Sequence, residues 1–229
     1  MKTVLITGAS GDIGSACARI FAQNGFNVVA QYNNNPVNIP DVFAVKADVK
    51  DEKSVEEMFS EAREKFGKID VLINNAGIQQ ISMLCDTETE AWQNVIDVNL
   101  TGAYNTTKCA LKDMMWSGGK IINVSSIWGQ CGAACESAYS ASKAGLIGLT
   151  KALAKEYSNI NVNCICPGVI EGKMNKHLTD KDREELLEQI PLKRFGTPED
   201  VAKVALFLVS SDADYITGQV IAVNGGMYI

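Results

Sequence analysis

Seven short runs rich in β-branched and apolar residues recur along the chain, and segments of helical period lie between most of them. The runs are TVLIT (3–7), NVVAQ (27–31), VFAVKA (42–47), DVLINN (70–75), KIINVSS (120–126), NVNCIC (161–166) and QVIAVN (219–224). Helical patterns occupy 13–24, 51–66, 88–115, 138–157 and 198–210. A strand that is apolar along its whole length is buried on both faces, and helices alternating with such strands provide the cover. The expected fold class is therefore α/β: a three-layer, Rossmann-like doubly wound fold around a seven-stranded parallel sheet. No repeat, low-complexity tract or linker interrupts the 229 residues, so a single domain over 1–229 is expected.

One connection departs from this rhythm. Between the second and third strands lies only YNNNPVNIPD (32–41), with three consecutive asparagines and with Pro36 and Pro40. Proline removes a helical hydrogen bond and clashes with the preceding turn. The helix between strands two and three is predicted absent and replaced by a loop. One face of the sheet would then be less covered near its edge, unless a neighbouring subunit covers it.

A hydrophobic content of 46% supplies enough apolar side chains for a large core. The opening MKTVLITG is too short for a signal peptide, and no later run approaches the ~18 apolar residues of a membrane span. A cytoplasmic location without a membrane partner is expected. The net charge of −6, with no concentration of Lys and Arg, argues against nucleic acid as a partner. Seven scattered cysteines (Cys17, Cys85, Cys109, Cys131, Cys135, Cys164 and Cys166) are an odd set and read as reduced, structural thiols. A single histidine leaves a zinc site few ligands, so no metal is expected.

Two stretches can carry chemistry. TGASGDIG (7–14) follows the first strand and opens a helix, and its Gly8, Gly11 and Gly14 suit a backbone approaching phosphate at a helix N-terminus. A bare turn before a helix has the same spacing. Asp12 reads either as the helix cap, worth about 1 kcal/mol, or as a charge that repels phosphate. At ~6 Å and an effective dielectric of ~20 that repulsion is about 3 kcal/mol. The cap reading, with the carboxylate turned off the phosphate path, is the one adopted.

The second stretch is one of two Tyr-x-x-x-Lys pairs, Tyr104/Lys108 and Tyr139/Lys143, each on one face of a predicted helix. A lysine ammonium beside a phenol lowers the phenol pKa from about 10 toward neutrality and creates a general acid/base. Context separates the pairs. Tyr139 lies thirteen residues after Ser126, which ends a predicted strand at the sheet edge where α/β folds hold ligands. Tyr104 has no such hydroxyl upstream and reads as structural or surface.

TGASGDIG, Asn74-Asn75-Ala76-Gly77, VNLTG around Asn99, Ser125-Ser126, Tyr139-x-x-x-Lys143 and Pro167-Gly168 follow one another in that order. In this the chain resembles the short-chain dehydrogenase/reductase family, and the likeness continues through RFGTPEDVA (194–202) to ITGQVIAVNGG (216–226). The resemblance implies an NAD(P)H-dependent oxidoreductase that reduces a ketone to an alcohol. It implies a catalytic set of Asn99, Ser126, Tyr139 and Lys143. Tyr139 would exchange the proton, Ser126 would hold the substrate oxygen, Lys143 would bind the ribose hydroxyls, and Asn99 would anchor a proton-carrying water chain. Negative charge growing on the oxygen as hydride reaches the carbonyl carbon would meet Tyr139 and Ser126.

For the cofactor, the resemblance implies Gly8, Ser10, Gly11, Asp12, Ile13 and Gly14 at the phosphates and Tyr32, Asn33 and Asn34 at the end of the second strand. Asp48 and Val49 would meet the adenine, and Asn74, Asn75, Ala76 and Gly77 would wall the adenosine ribose. Pro167, Gly168 and Ile170 would floor the nicotinamide. Residues 173–189 would form a mobile lid, with His177 as a surface residue. A homo-oligomer, tetramer or dimer, is implied through 88–115, 138–157 and the C-terminal segment.

Two positions depart from the family pattern. Asp12 stands where glycine is usual, with Gly11 where NADP-using members often carry arginine, and Gly172 stands where a threonine usually grips the carboxamide. NAD-specific members commonly end the second strand with Asp, which holds the ribose 2′-hydroxyl. Gln31-Tyr32-Asn33-Asn34 offers no acid there, which favours NADP(H) over NAD(H).

The general likeness is to 3-oxoacyl-acyl-carrier-protein reductases, which by resemblance dock an acidic carrier through arginines. The corresponding stretches at Ser117 and Asn159 are neutral here, and an acidic chain suits an acidic partner poorly. SSIWGQCGAACESAYS (125–140), with Trp128 and Glu136 as substrate contacts, instead resembles reductases of the 5-aminopentanone group on elongation factor P. That ketone is the main expectation and the 3-oxoacyl thioester the alternative; the partner is a small-molecule or protein-tethered carbonyl compound. A non-catalytic nucleotide sensor or scaffold is the reading from another class, and the intact catalytic set argues against it.

Overall fold

The structure, a computed structural model, describes residues 1–176 and 178–229, so His177 lies outside the described residues. The elements in chain order are β1 (Thr3–Ile6), α1 (Asp12–Gln23), β2 (Asn27–Tyr32), β3 (Val42–Lys46), α2 (Glu52–Phe66), β4 (Val71–Asn74), α3 (Thr89–Ile96) and α4 (Gly102–Ser117). They continue with β5 (Gly119–Val124), α5 (Ile127–Cys131), α6 (Ser137–Glu156), β6 (Ile160–Pro167), α7 (Asp180–Gln189), α8 (Pro198–Val209) and β7 (Val220–Val223). The seven strands form one sheet in the order β3-β2-β1-β4-β5-β6-β7, with every pairing parallel.

The two-residue period of each strand sends side chains alternately to two helical layers. Val4 and Ile6 of β1 pack with Phe21 of α1 and with Val201 and Ala205 of α8. Leu5 faces the opposite way, into a cluster with Phe59 of α2, Met114 of α4 and Leu153 of α6. Burying a side chain as large as Phe59 in this way contributes roughly 1.5–3 kcal/mol. Local chemistry sets the helix ends. The Asp51 carboxylate caps α2 by accepting from the Lys53 amide at 3.0 Å, and Gly67 ends it at φ +79°. Thr197 and Asp200 form a reciprocal capping box at α8, with Pro198 in its first turn.

No helix joins β2 to β3; residues 33–41 run as bends and coil. Val37 and Ile39 of this loop pack against the α1 side of the core and cover part of the face a helix would occupy. The expected 88–115 helix is divided: a π-helical turn, Asp97–Thr101, separates α3 from α4. Two helices were not expected, α5 and α7. The second lies inside the 173–189 segment and buries none of its residues, so its sequence, DKDREELLEQ, carries no apolar stripe to reveal it. All seven cysteines are free thiols. Among the described residues no helix is long and apolar enough to cross a membrane. The strand order turns back between β1 and β4, and the carboxyl ends of the strands open a crevice there.

Candidate active site

A groove of about 510 Å³ fills that crevice. Its walls bring together Gly8, Ser10, Gly11, Asp12, Ile13, Asn33, Asn34, Asp48, Val49, Asn75, Ala76, Gly77, Pro167, Gly168 and Ile170, with Ser126, Tyr139 and Lys143 at the same surface. Gly14, Tyr32, Asn74, Asn99, Trp128 and Glu136 are not among the lining residues.

The loop between β1 and α1 is held from below. Gly8 takes a positive φ of 65°, and its amide donates to Gln31 Oε1 at 2.7 Å, while Gln31 Nε2 donates to the Ala47 carbonyl at 2.7 Å. The Thr7 hydroxyl accepts from the amides of Asn75 and Ala76, and Asn75 Nδ2 returns to the carbonyls of Thr7 and Gly8. Gln31, which itself lines the groove, and Thr7, which does not, thus brace the loop through partners distant in sequence that motif spacing does not reveal. Gly14 packs beneath the loop: a Cβ there would lie 2.9 Å from Ala9 Cα.

Two expectations about this region change. Asp12 is not the helix cap. Gly11 occupies that position without any side-chain cap bond, and the Asp12 carboxylate accepts from the Lys173 amide at 2.5 Å. One residue inside the helix, the carboxylate swings along the rim instead of covering the first-turn amides. Asn74 does not wall the groove either. Its Nδ2 donates to Asn123 Oδ1 at 2.9 Å and Thr107 Oγ1 at 3.1 Å, and its Oδ1 accepts from Thr106 Oγ1 at 2.6 Å, all in a buried network beneath the site.

At the other end of the groove, Tyr139 and Lys143 lie one turn apart on α6, with Lys143 Nζ 5.6 Å from the Tyr139 ring centroid. Lys143 Nζ donates to the Val124 carbonyl at 2.8 Å, and Ser125 Oγ donates to the Lys143 carbonyl at 2.7 Å. Ser126 caps α5, its hydroxyl accepting from the Trp128 amide at 3.1 Å, and it lies near enough to Tyr139 to favour the phenol's ionised form. Asn99 sits in the π-helical turn. Its Nδ2 donates to Ser142 Oγ at 3.0 Å and to the Ile78 carbonyl at 2.9 Å, and its Oδ1 accepts from the Ile78 amide at 2.8 Å. Ser142 in turn donates to the Tyr139 carbonyl at 2.7 Å.

Burial dominates the electrostatics of this cluster. It pushes the Tyr139 phenol up to about 12, with Ser126 pulling the other way and Glu136 and Cys166 adding to the rise. Burial also pulls Lys143 down to about 8. The expectation that Lys143 brings the phenol toward neutrality is therefore reversed in this structure. A phenol kept protonated at neutral pH is suited to giving a proton to an oxygen that gains charge.

Trp128 packs with Ile78, Trp92, Val95, Ala138 and Tyr139 in a small apolar cluster at the Tyr139 end of the groove. Glu136 precedes α6, half-buried, close enough to Tyr139 to oppose its ionisation. The other Tyr-x-x-x-Lys pair stands apart: Tyr104 is half exposed, and Lys108 binds Glu52 at 2.7 Å.

A doubly wound parallel sheet with a glycine loop at its switch point and a Ser-Tyr-Lys cluster at the same crevice describes a class of oxidoreductase. Comparison with known proteins gives the family. A family model described as Enoyl-(Acyl carrier protein) reductase matches residues 8–228. The chain is 43% identical over 241 residues to the 3-oxoacyl-acyl-carrier-protein reductase FabG of Thermotoga maritima, covering 100% of this chain and 98% of that protein. It is 41% identical over 242 residues to the protein of the same name from Staphylococcus aureus, covering 100% and 98%. A crystal structure of a short-chain dehydrogenase/reductase, SDR:Glucose/ribitol dehydrogenase, from Brucella melitensis superposes with a TM-score of 0.94 at 32% identity, over 100% of this chain and 97% of that one. The chain belongs to the short-chain dehydrogenase/reductase family of oxidoreductases.

Proposed function

We propose that the protein is a cytoplasmic, NADP(H)-using ketoreductase built as one dinucleotide-binding unit and working as a homo-oligomer. Its substrate in this reading is a 3-oxoacyl thioester tethered to a carrier protein. The buried Ser126-Tyr139-Lys143 cluster carries the reading, because it meets the dinucleotide groove at one end. The near full-length relatives named as 3-oxoacyl-acyl-carrier-protein reductases support the substrate class.

The residues present fit a dinucleotide. The first-turn amides of α1 are not consumed by a cap, and Gly8 and Gly11 leave the backbone open to phosphate. Asn33 and Asn34 line the far end with amides and no carboxylate, which supports a 2′-phosphate. Asp48 and Val49 would hold the adenine, Asn75 to Gly77 the adenosine ribose, and Lys143 the second ribose. Pro167, Gly168 and Ile170 would hold the nicotinamide, which would supply a hydride. Tyr139, protonated at neutral pH, delivers its proton to the substrate oxygen, and the Ser126 hydroxyl positions that oxygen. Asn99, tied to Ile78 and Ser142, fixes the backbone behind Tyr139.

Glu136 favours a second reading. A half-buried carboxylate beside Tyr139 suits a substrate that carries a cation, such as the 5-aminopentanone group on elongation factor P.

Replacing Tyr139 by Phe tests the mechanism: turnover falls by about 100-fold or more, while NADPH still binds. Near-normal turnover in that variant refutes the role. Acetoacetyl thioesters and aminopentanone-modified elongation factor P, each assayed with NADPH and then NADH, separate the two substrates and the two cofactors. No oxidation of either cofactor with any ketone in a broad panel points to a nucleotide sensor instead.

A further inference from the structure

The two positions that depart from the family pattern, Asp12 and Gly172, meet in space. Gly172 has φ +155° and ψ −170°, a conformation open to glycine and strained for other residues. A Cβ built on it would lie against the Asp12 carboxylate, 2.7 Å from its Cγ. The carboxylate therefore occupies the volume in which a side chain at 172 would begin, and it accepts from the next amide, that of Lys173, at 2.5 Å. Asp12 and Gly172 face the same groove, one from the glycine loop and the other from the segment that follows β6. The segment is also tied to its own neighbourhood, through Asn175 Nδ2 donating to the Ile170 carbonyl at 2.7 Å and Arg183 pairing with Glu171 at 2.7 Å, and Gln79 Nε2 donates to the Met174 carbonyl at a longer 3.5 Å.

We propose that Asp12 is a positioning residue that latches the segment 172–176 to the glycine loop and fixes the rim beneath which a dinucleotide enters and leaves. This role rests on the dinucleotide reading of the groove. The latch is a hydrogen bond from an amide to a carboxylate, the stronger kind of neutral-to-charged contact. It is also steric, since Gly172 and Asp12 cannot both carry a side chain into the same volume. Asp12→Asn keeps an acceptor oxygen and loses the charge. Asp12→Gly loses both the acceptor and the filling.

Lys173 and Lys176 offer trypsin sites within the latched segment, so digestion of the dinucleotide-free protein reads the latch directly. Cleavage after these lysines, followed by mass spectrometry, is expected to quicken by about tenfold or more in Asp12→Gly, in line with a bond to a charged acceptor. Asp12→Asn stays within about threefold of the parent, because an acceptor is retained. Stopped-flow fluorescence on NADPH-loaded protein is expected to show release about tenfold faster from Asp12→Gly, with Asp12→Asn again close to the parent. Gly172→Ala, which expels the carboxylate, accelerates cleavage in the parent and does so less when combined with Asp12→Gly. Equal cleavage of the parent and Asp12→Gly overturns the proposal, as do fully additive effects of the two substitutions. If the parent binds neither NADPH nor NADH, the dinucleotide reading fails on its own, and the digestion still decides the latch.

Discussion

Lys143 is a buried cation held by one protein carbonyl, and that arrangement makes a quantitative claim about stability. Its side chain is almost wholly shielded, and burial lowers it from an ordinary 10.5 to about 8. At pH 7 both the folded and the unfolded chain carry the proton, so the folded state bears the full penalty, about 3 kcal/mol at 1.36 kcal/mol per pH unit. Between pH 8 and 10.5 the folded lysine has shed its proton while the unfolded one keeps it. The unfolded state then binds more protons, and stability rises with pH across that window. Above it both forms are neutral and the penalty is gone.

Lys143→Met removes the charge and keeps the unbranched apolar stem. It also leaves the Val124 carbonyl, now bonded by Nζ at 2.8 Å, without that donor, at a cost of about 1–3 kcal/mol. The two effects nearly offset at pH 7, so the absolute difference between variant and parent is a weak test. Its pH dependence is a strong one. Relative to the parent, the variant is expected to lose about 2–3 kcal/mol of stability between pH 7 and pH 10, because only the parent sheds its penalty. Tyr139 titrates above this range in both proteins, with its phenol pushed to about 12, and cancels in the comparison. Urea unfolding of dinucleotide-free protein, followed by tryptophan fluorescence at four pH values, measures the difference. Stability curves that stay parallel from pH 7 to pH 10 would show that Lys143 is not held as a destabilised cation, and the electrostatic account of the site would fall.

Two further substitutions probe the scaffold. Gly14→Ala should raise helix propensity by about 1 kcal/mol in isolation, yet its Cβ would press on the Gly8 carbonyl and on Ala9 Cα. The clash is expected to win, lowering Tm and weakening NADPH binding at least tenfold in a fluorescence titration; a stabilised variant with unchanged affinity would contradict it. Asn123→Ala strips Asn74 Nδ2 of an acceptor and Thr150 Oγ1 of a donor, both buried. A loss of about 2–4 kcal/mol is expected from the two unmet partners, read as a drop in urea midpoint, and a change under 1 kcal/mol would show that water replaces them.

The strands and the groove were legible because their signals are local. Apolar runs of four to eight residues mark buried strands, and Gly8, Gly11, Tyr139 and Lys143 act at short, recognisable spacings. What escaped was set by partners distant in sequence. Asp12 was misjudged as a cap because its acceptor role depends on Lys173, 161 residues away. Asn74 was assigned to the groove because nothing in its neighbourhood announces Thr106, Thr107 and Asn123 as its partners. Tyr139 was expected to ionise readily because a nearby lysine is visible in the sequence, whereas the depth of burial that overrides it is not. α7 escaped for a different reason: its capping box at Thr179 and Asp182 is readable, but a helix with no buried face gives the apolar period nothing to display.

Helix α6 shows how these two kinds of information combine in one element. Toward its C-terminal end Leu153 enters the apolar layer with Phe59 and Met114. At mid-length Thr150 Oγ1 accepts from Asn123 Nδ2 at 2.9 Å, a polar contact that fixes the helix against β5. At its N-terminal end Tyr139 and Lys143 face the groove, and their backbone carbonyls accept from Ser142 and Ser125. The helix thus passes from packing to positioning to chemistry along its length. That order has a physical reason. A buried cation opposes folding, and Lys143 is carried by a helix anchored through its opposite end. Leu153→Ala, at roughly 2–5 kcal/mol for a buried leucine, would loosen the support of Tyr139 and Lys143 without touching either.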